Sequence, residues 1–200
     1  MVIVKSNANG STTVPIETSF YEQRILYLSG EISSESVLEI QKQLGYLAMK
    51  DASLPVLLVV SSLGGSVQAG LSLVSTINSL PFKVDSLVLD MAASMGAVIS
   101  VCCSGSRYVG ANAKLMLHEP LVRGIKEGSL SDIKETYEDL ERCKQRICEH
   151  ICKRTKQKEE IIKDALTSDH YYSAREAIDN KLADKIEDVT VFANYGCSQF

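Results

Sequence analysis

"PVLLVVSSLGGSVQAGLSLVSTINSL", residues 55–80, changes character twice. Its first six residues, 55–60, are an apolar run bounded by turn residues, the pattern of a short strand buried on both faces. From Ser66 to Leu80 the apolar residues Val67, Leu71, Val74 and Ile77 fall on one stripe at helical spacing. Gly64 and Gly65 occupy the turn between them. The first N–H groups of the coming helix have no helical partner there, and glycine allows another group to approach closely. Such a turn receives a phosphate, a carboxylate or the oxyanion of a tetrahedral intermediate. The glycine spacings of the dinucleotide-binding and P-loop motifs are both absent, so neither nucleotide motif applies.

The same alternation extends outward. "RILYLSG" (24–30) reads as a strand ending in a turn, and 33–50 as a helix with Val37, Ile40, Leu44 and Leu47 on one face. "VDSLVLD" (84–90) is the next strand, 94–103 the next helix, and "KLMLHEP" (114–120) a strand and turn. Repeated strand and helix argue for an α/β fold with a largely parallel core. Residues 129–155 form the longest helix, with Ser129 and Asp132 placed to cap it and Ile133, Tyr137, Leu140, Ile147 and Ile151 as its stripe. Its other faces are charged, so it is either a solvated surface helix or a projecting one that meets a partner subunit. The polar segment 5–14 reads as a mobile arm.

A second stretch, "DMAASMGAVIS" (90–100), surrounds the Ser94 hydroxyl with Ala92, Ala93, Met95, Gly96 and Ala97. Small neighbours suit a tight strand-to-helix turn and admit another backbone. Taken alone, the stretch also suits a packed core helix in which Ser94 bonds back to its own backbone. His118 stands where an apolar strand leaves the core, a place where a structural histidine is common. Asp169, in "TSDHYYSAREA", is placed just before a helix, where a flanking or turn aspartate is equally ordinary.

Two hundred residues with 45% hydrophobic and 23% charged content fit one globular domain with a continuous core. A net charge of −4 argues against nucleic acid. No apolar run is long enough to span a membrane, and the N-terminus turns polar after four residues, unlike a secretory signal. The cysteines, Cys102, Cys103, Cys143, Cys148, Cys152 and Cys197, form no CxxC pair and read as reduced thiols of a cytoplasmic protein. Cys143 and Cys152 point to opposite sides of their helix, which argues against a metal site with Cys148 and His150. No metal or cofactor is expected.

Together, "SSLGGSVQAGL", "MAASMGA", "MLHEPL" and "SDHYYSAREA" resemble, in order and spacing, the oxyanion, nucleophile, histidine and aspartate stretches of the proteolytic subunit of the Clp protease family. "QRILYLSGEIS" and "LADKIEDV" extend the resemblance from about residue 23 to 188. It implies a crotonase-like spiral of ββα units, here a peptidase domain at 15–190 between an N-terminal arm, 1–14, and a tail, 191–200. The 129–155 helix would be a projecting handle. It further implies a serine endopeptidase that cleaves unfolded polypeptides fed by an AAA+ ATPase, in seven-membered rings that stack or mix with a second paralogue. Ser94 would be the nucleophile, His118 its base and Asp169 the residue orienting the imidazole. The N–H groups of Gly65 and Met95 would form the oxyanion hole, with Gly64, Ser66, Val67, Leu121 and Val122 along the substrate. This chemistry needs such a set, since a serine hydroxyl is a poor nucleophile until a base accepts its proton and a carboxylate holds that base.

The chain also departs from the family. Leu63 replaces a proline before the glycines, Ser61 an asparagine, and Glu119 the glutamine after the histidine. Ser168 stands where an arginine is common, Leu57 and Val59 where tyrosines line the ATPase docking pocket, and 121–129 is about two residues longer. Two other readings stand beside the peptidase. One is a ring subunit with a structural or regulatory role; the other is a crotonase-fold enzyme acting on acyl-CoA, which has no need of the serine, histidine and aspartate together.

Overall fold

The computed structural model describes residues 1–7, 10–121 and 129–195. The chain opens with an antiparallel hairpin of β1 (Val2–Asn7) and β2 (Gly10–Pro15), with Val2 opposite Pro15. The segment expected as a mobile arm therefore carries a backbone ladder, which β-branched residues such as Thr12 and Thr13 favour. Next come α1 (Ile16–Glu22), β3 (Ile25–Ile32) and α2 (Ser34–Lys50). Ser33 and Ser36 cap α2 reciprocally, and its buried residues are the expected Val37, Ile40, Leu44 and Leu47.

β4 (Val56–Gly65) is the hub, followed by α3 (Val67–Ser79), β5 (Val84–Val88), β6 (Met91–Ala93), α4 (Met95–Cys102), β7 (Arg107–Val109) and β8 (Lys114–Leu117). The first half of β4 pairs in parallel with β3 and β5, and β5 continues in parallel to β7. Further along, Ser62 of β4 pairs instead with Ala92 of β6, and β6 pairs in parallel with β8. Because β4 changes neighbours along its length, the sheet curls into the crotonase-like spiral. The strand expected at 84–90 ends at Val88, and a separate short strand, β6, follows just beyond that span. The break falls at Asp90, whose carboxylate accepts from Ser61 Oγ at 2.9 Å and whose carbonyl accepts from Lys114 N at 2.9 Å.

α5 (Leu130–Thr155) begins at the expected Ser129–Asp132 capping box. Its apolar stripe is continuous in sequence but not in burial. Ile147 and Ile151 are buried, while Leu130, Ile133 and Tyr137 are exposed, so the first half projects from the body. The chain then forms α6 (Glu159–Ala165), β9 (His170–Ser173), α7 (Ala174–Asp179), β10 (Lys185–Ile186) and a 3-10 turn, Val189–Asn194. β9 is antiparallel to β8, and β10 is parallel to β7.

The main core lies between the sheet and α2, α3 and α4. A smaller cluster gathers Ile25, Leu57, Val59 and Leu87 with Val191 and Tyr195. Leu57 and Val59 are thus covered by the chain's own C-terminal turn, and Tyr195 donates a hydrogen bond to Asp85. The packed body consequently runs past the boundary expected at residue 190. The rest of the expected tail, 196–200 with Cys197, lies outside the described residues.

Candidate active site

The strand register brings three distant residues together. Ala93 is opposite Met116 in the β6–β8 pair, and Leu117 is opposite His170 in the β8–β9 pair. Ser94 and His118 therefore leave the same end of two neighbouring parallel strands, and Asp169 enters the third strand at that end. Ser94 N donates to the Met116 carbonyl at 2.8 Å, which ties the serine to the histidine strand. The His118 Nδ1 and Asp169 Oδ1 atoms are 4.0 Å apart, with the imidazole largely buried and the carboxylate exposed. Asp169 precedes β9, not the helix that sequence suggested. Four residues of strand lie between it and α7, and their pairing with β8 sets the aspartate opposite His118.

Ser94 itself is held in an uncommon backbone conformation, φ 53° and ψ −126°, which non-glycine residues rarely adopt. Its side chain does not cap α4, which removes the reading of a hydroxyl satisfied by its own helix. Among the described residues the Ser94 hydroxyl has no hydrogen-bond partner, so it is not bonded to His118 in this conformation. Met95, the first residue of α4, offers an N–H with no helical acceptor.

The small residues around Ser94 are there for close backbone approach. A Cβ on Gly64 would lie 2.6 Å from Ser94 Cβ, and one on Gly96 would lie 2.8 Å from the Ser62 carbonyl. Gly65 has φ +149°, and a Cβ there would lie 2.3 Å from the Ile32 carbonyl oxygen. Ser66 N donates to that same carbonyl at 2.7 Å.

Ser62 locks the turn: its hydroxyl donates to the Gly30 carbonyl at 2.5 Å and accepts from Gly64 N at 3.1 Å. Ser66 caps α3 by accepting from Ala69 N, and Val67 opens that helix. Leu121 is exposed, and Val122 lies outside the described residues, as does most of the longer 121–129 segment. The thiols of Cys102 and Cys103, at the far end of α4, do not compete as nucleophiles. Burial pushes Cys102 up to about 12 and raises Cys103 as well.

Sequence reasoning missed Ser62 and Lys144. Nothing local marks Ser62 as the anchor of the turn. Lys144 is 25 residues from Glu119 in the chain but donates to its carboxylate at 2.9 Å.

A positive-φ serine between a strand end and a helix start, with histidine and aspartate at the adjoining ends of the next two strands, is the architecture of a serine hydrolase. The chain belongs to the Clp protease family, whose profile matches residues 8–190. It is 33% identical over 172 residues to the ATP-dependent Clp protease proteolytic subunit 1 of Chlamydia pneumoniae, covering 86% of this chain and 90% of that one. The subunit of the same name from Protochlamydia amoebophila is 30% identical over 172 residues, covering 86% and 84% respectively.

Proposed function

We propose that this chain is the serine endopeptidase subunit of an ATP-dependent Clp-type protease, with Ser94, His118 and Asp169 as its catalytic residues. The observation that carries the reading is the convergence of these three residues at one end of β6, β8 and β9. Ser94 Oγ attacks the scissile carbonyl carbon while His118 takes its proton. The new oxyanion accepts hydrogen bonds from Gly65 N and Met95 N. His118 then protonates the leaving amine, and water releases the acyl group by the reverse sequence. Asp169 orients the imidazole and stabilises its cation.

Gly64, Ser66, Val67 and Leu121 form the path of the extended substrate. The start of α4 favours the negative charge that develops beside it. Before reaction the 4.0 Å gap between His118 and Asp169 shortens and the Ser94 hydroxyl turns to the imidazole. Catalytic hydrogen bonds are often long before substrate binds.

The same reading places the subunit in rings in the cytoplasm, with an AAA+ ATPase supplying unfolded chain. The exposed Leu130, Ile133 and Tyr137 of α5 support subunit contact, and the free thiols support a reducing compartment. The open triad also suits a ring subunit that is inactive until assembled with further copies or with a second paralogue. A fluorophosphonate probe separates the readings. The expected result is a mass increase on Ser94 in the assembled protein, absent in Ser94→Ala, with peptidase activity reduced by about 10⁶. Full activity in Ser94→Ala overturns the peptidase reading.

A further inference from the structure

Beyond Leu117 the chain leaves the β8 ladder, and His118 begins the irregular segment that follows. What fixes the direction of exit decides where the imidazole points. Among the described residues, the side-chain hydrogen bond holding Glu119–Leu121 is the one from Lys144 Nζ to Glu119 Oε2, at 2.9 Å. The lysine is mostly buried, with 22% of its side chain exposed, and Glu119 is 46% exposed. A partly shielded pair holds its geometry better than a fully solvated one. Lys144 also stands where α5 passes from its projecting half to the half buried from Ile147 onward. The pair therefore joins the first residue after the histidine to the base of the projecting helix.

We infer that Glu119 and Lys144 act as a pair of positioning residues for His118, setting the imidazole toward Ser94 without touching substrate. This rests on the proposed roles of Ser94 and His118. Glu119 is adjacent to His118, so rotation of its backbone swings the ring directly. Displacement of a catalytic group by about 1 Å costs up to 10²-fold in rate. Loss of one partly exposed ion pair is expected to misdirect the ring only part of the time, at a cost of about tenfold.

The experiment uses the full chain with Glu119→Ala, Lys144→Ala, the double variant, and the exchanged pair Glu119→Lys with Lys144→Glu. The first readout is the rate of Ser94 labelling by a fluorophosphonate together with kcat and KM for a short peptide. The expected result is that each single variant lowers labelling and kcat about tenfold with KM unchanged. The double variant loses no more than either single variant, and the exchanged pair recovers most of the loss.

The second readout does not need Ser94 to react. Diethyl pyrocarbonate acylates neutral imidazole, and peptide mapping gives its rate at His118 relative to His150 and His170. Both single variants should change the His118 rate several-fold and to the same extent. If the parent Ser94 is unreactive, the proposed function fails, and the His118 rates still decide the pairing. Additive losses, or His118 rates unchanged in both single variants, overturn the inference.

Discussion

A methyl group on Gly64 would lie 2.6 Å from the Ser94 side chain, whereas the His118 imidazole and the Asp169 carboxylate stand 4.0 Å apart. One half of the site is built from interlocking backbone, the other from side chains meeting across strand ends. Around Ser94, glycines at 64, 65 and 96 let β3, β4 and α4 approach more closely than a Cβ permits. The serine's strained φ is maintained by that packing, which has few alternatives once the core is closed. Asp169 is exposed, and its orientation depends on where β9 begins. On the proposed roles, the nucleophile half is preformed and the relay half must be drawn together.

The largest test breaks the relay half. Asp169→Asn keeps the size of the side chain but removes the carboxylate proposed to select the imidazole tautomer and stabilise its cation. The expected loss in kcat is about 10⁴. Because Asp169 is exposed, the thermal unfolding midpoint should stay near the parent value. A variant retaining most of its activity would show that His118 works without Asp169, and a large fall in stability would show that the two halves are not separable.

A smaller loss is expected from breaking the preformed half at Gly65. Gly65→Val forces a side chain against the Ile32 carbonyl oxygen, where the first carbon alone would lie at 2.3 Å, and into a φ of +149°. Moving that peptide removes one oxyanion donor, a loss of about 10²–10³ in kcat. Unlike Asp169→Asn, this variant should also unfold at lower temperature, because the clash lies between β3 and β4. Parent turnover in a normally folded Gly65→Val would place the oxyanion elsewhere.

The two halves also differ in how far they were legible in sequence. Backbone approach leaves a local trace, since residues without bulk cluster where it occurs, and "LGGS" and "AASMGA" carry it openly. The burial stripes of α2 and α3 were legible for the same reason. The relay was not, because no local pattern states that β6, β8 and β9 lie side by side. Strands of two to four residues such as β7, β9 and β10 exist through their partners rather than their own propensity. The resemblance to a family supplied what periodicity could not, namely which aspartate faces which histidine. It could not supply the Glu119–Lys144 pair, which involves a departure from the family's glutamine.

Ser62 offers the smallest and most discriminating change within the preformed half. Its hydroxyl bridges the Gly30 carbonyl and Gly64 N, and the residue is buried. Ser62→Ala leaves both backbone groups without this partner, a cost of about 1–3 kcal/mol in stability. The steric lock of Gly64 on Ser94 and of Gly96 on the Ser62 carbonyl is untouched, because neither depends on the hydroxyl. If backbone interlocking is what holds the nucleophile, kcat should fall no more than about threefold while the protein unfolds at lower temperature. Chemical denaturation and peptide hydrolysis on the same sample give both numbers. A fall in kcat comparable to that of Gly65→Val, with little change in stability, would mean that the hydroxyl rather than the packing sets the turn.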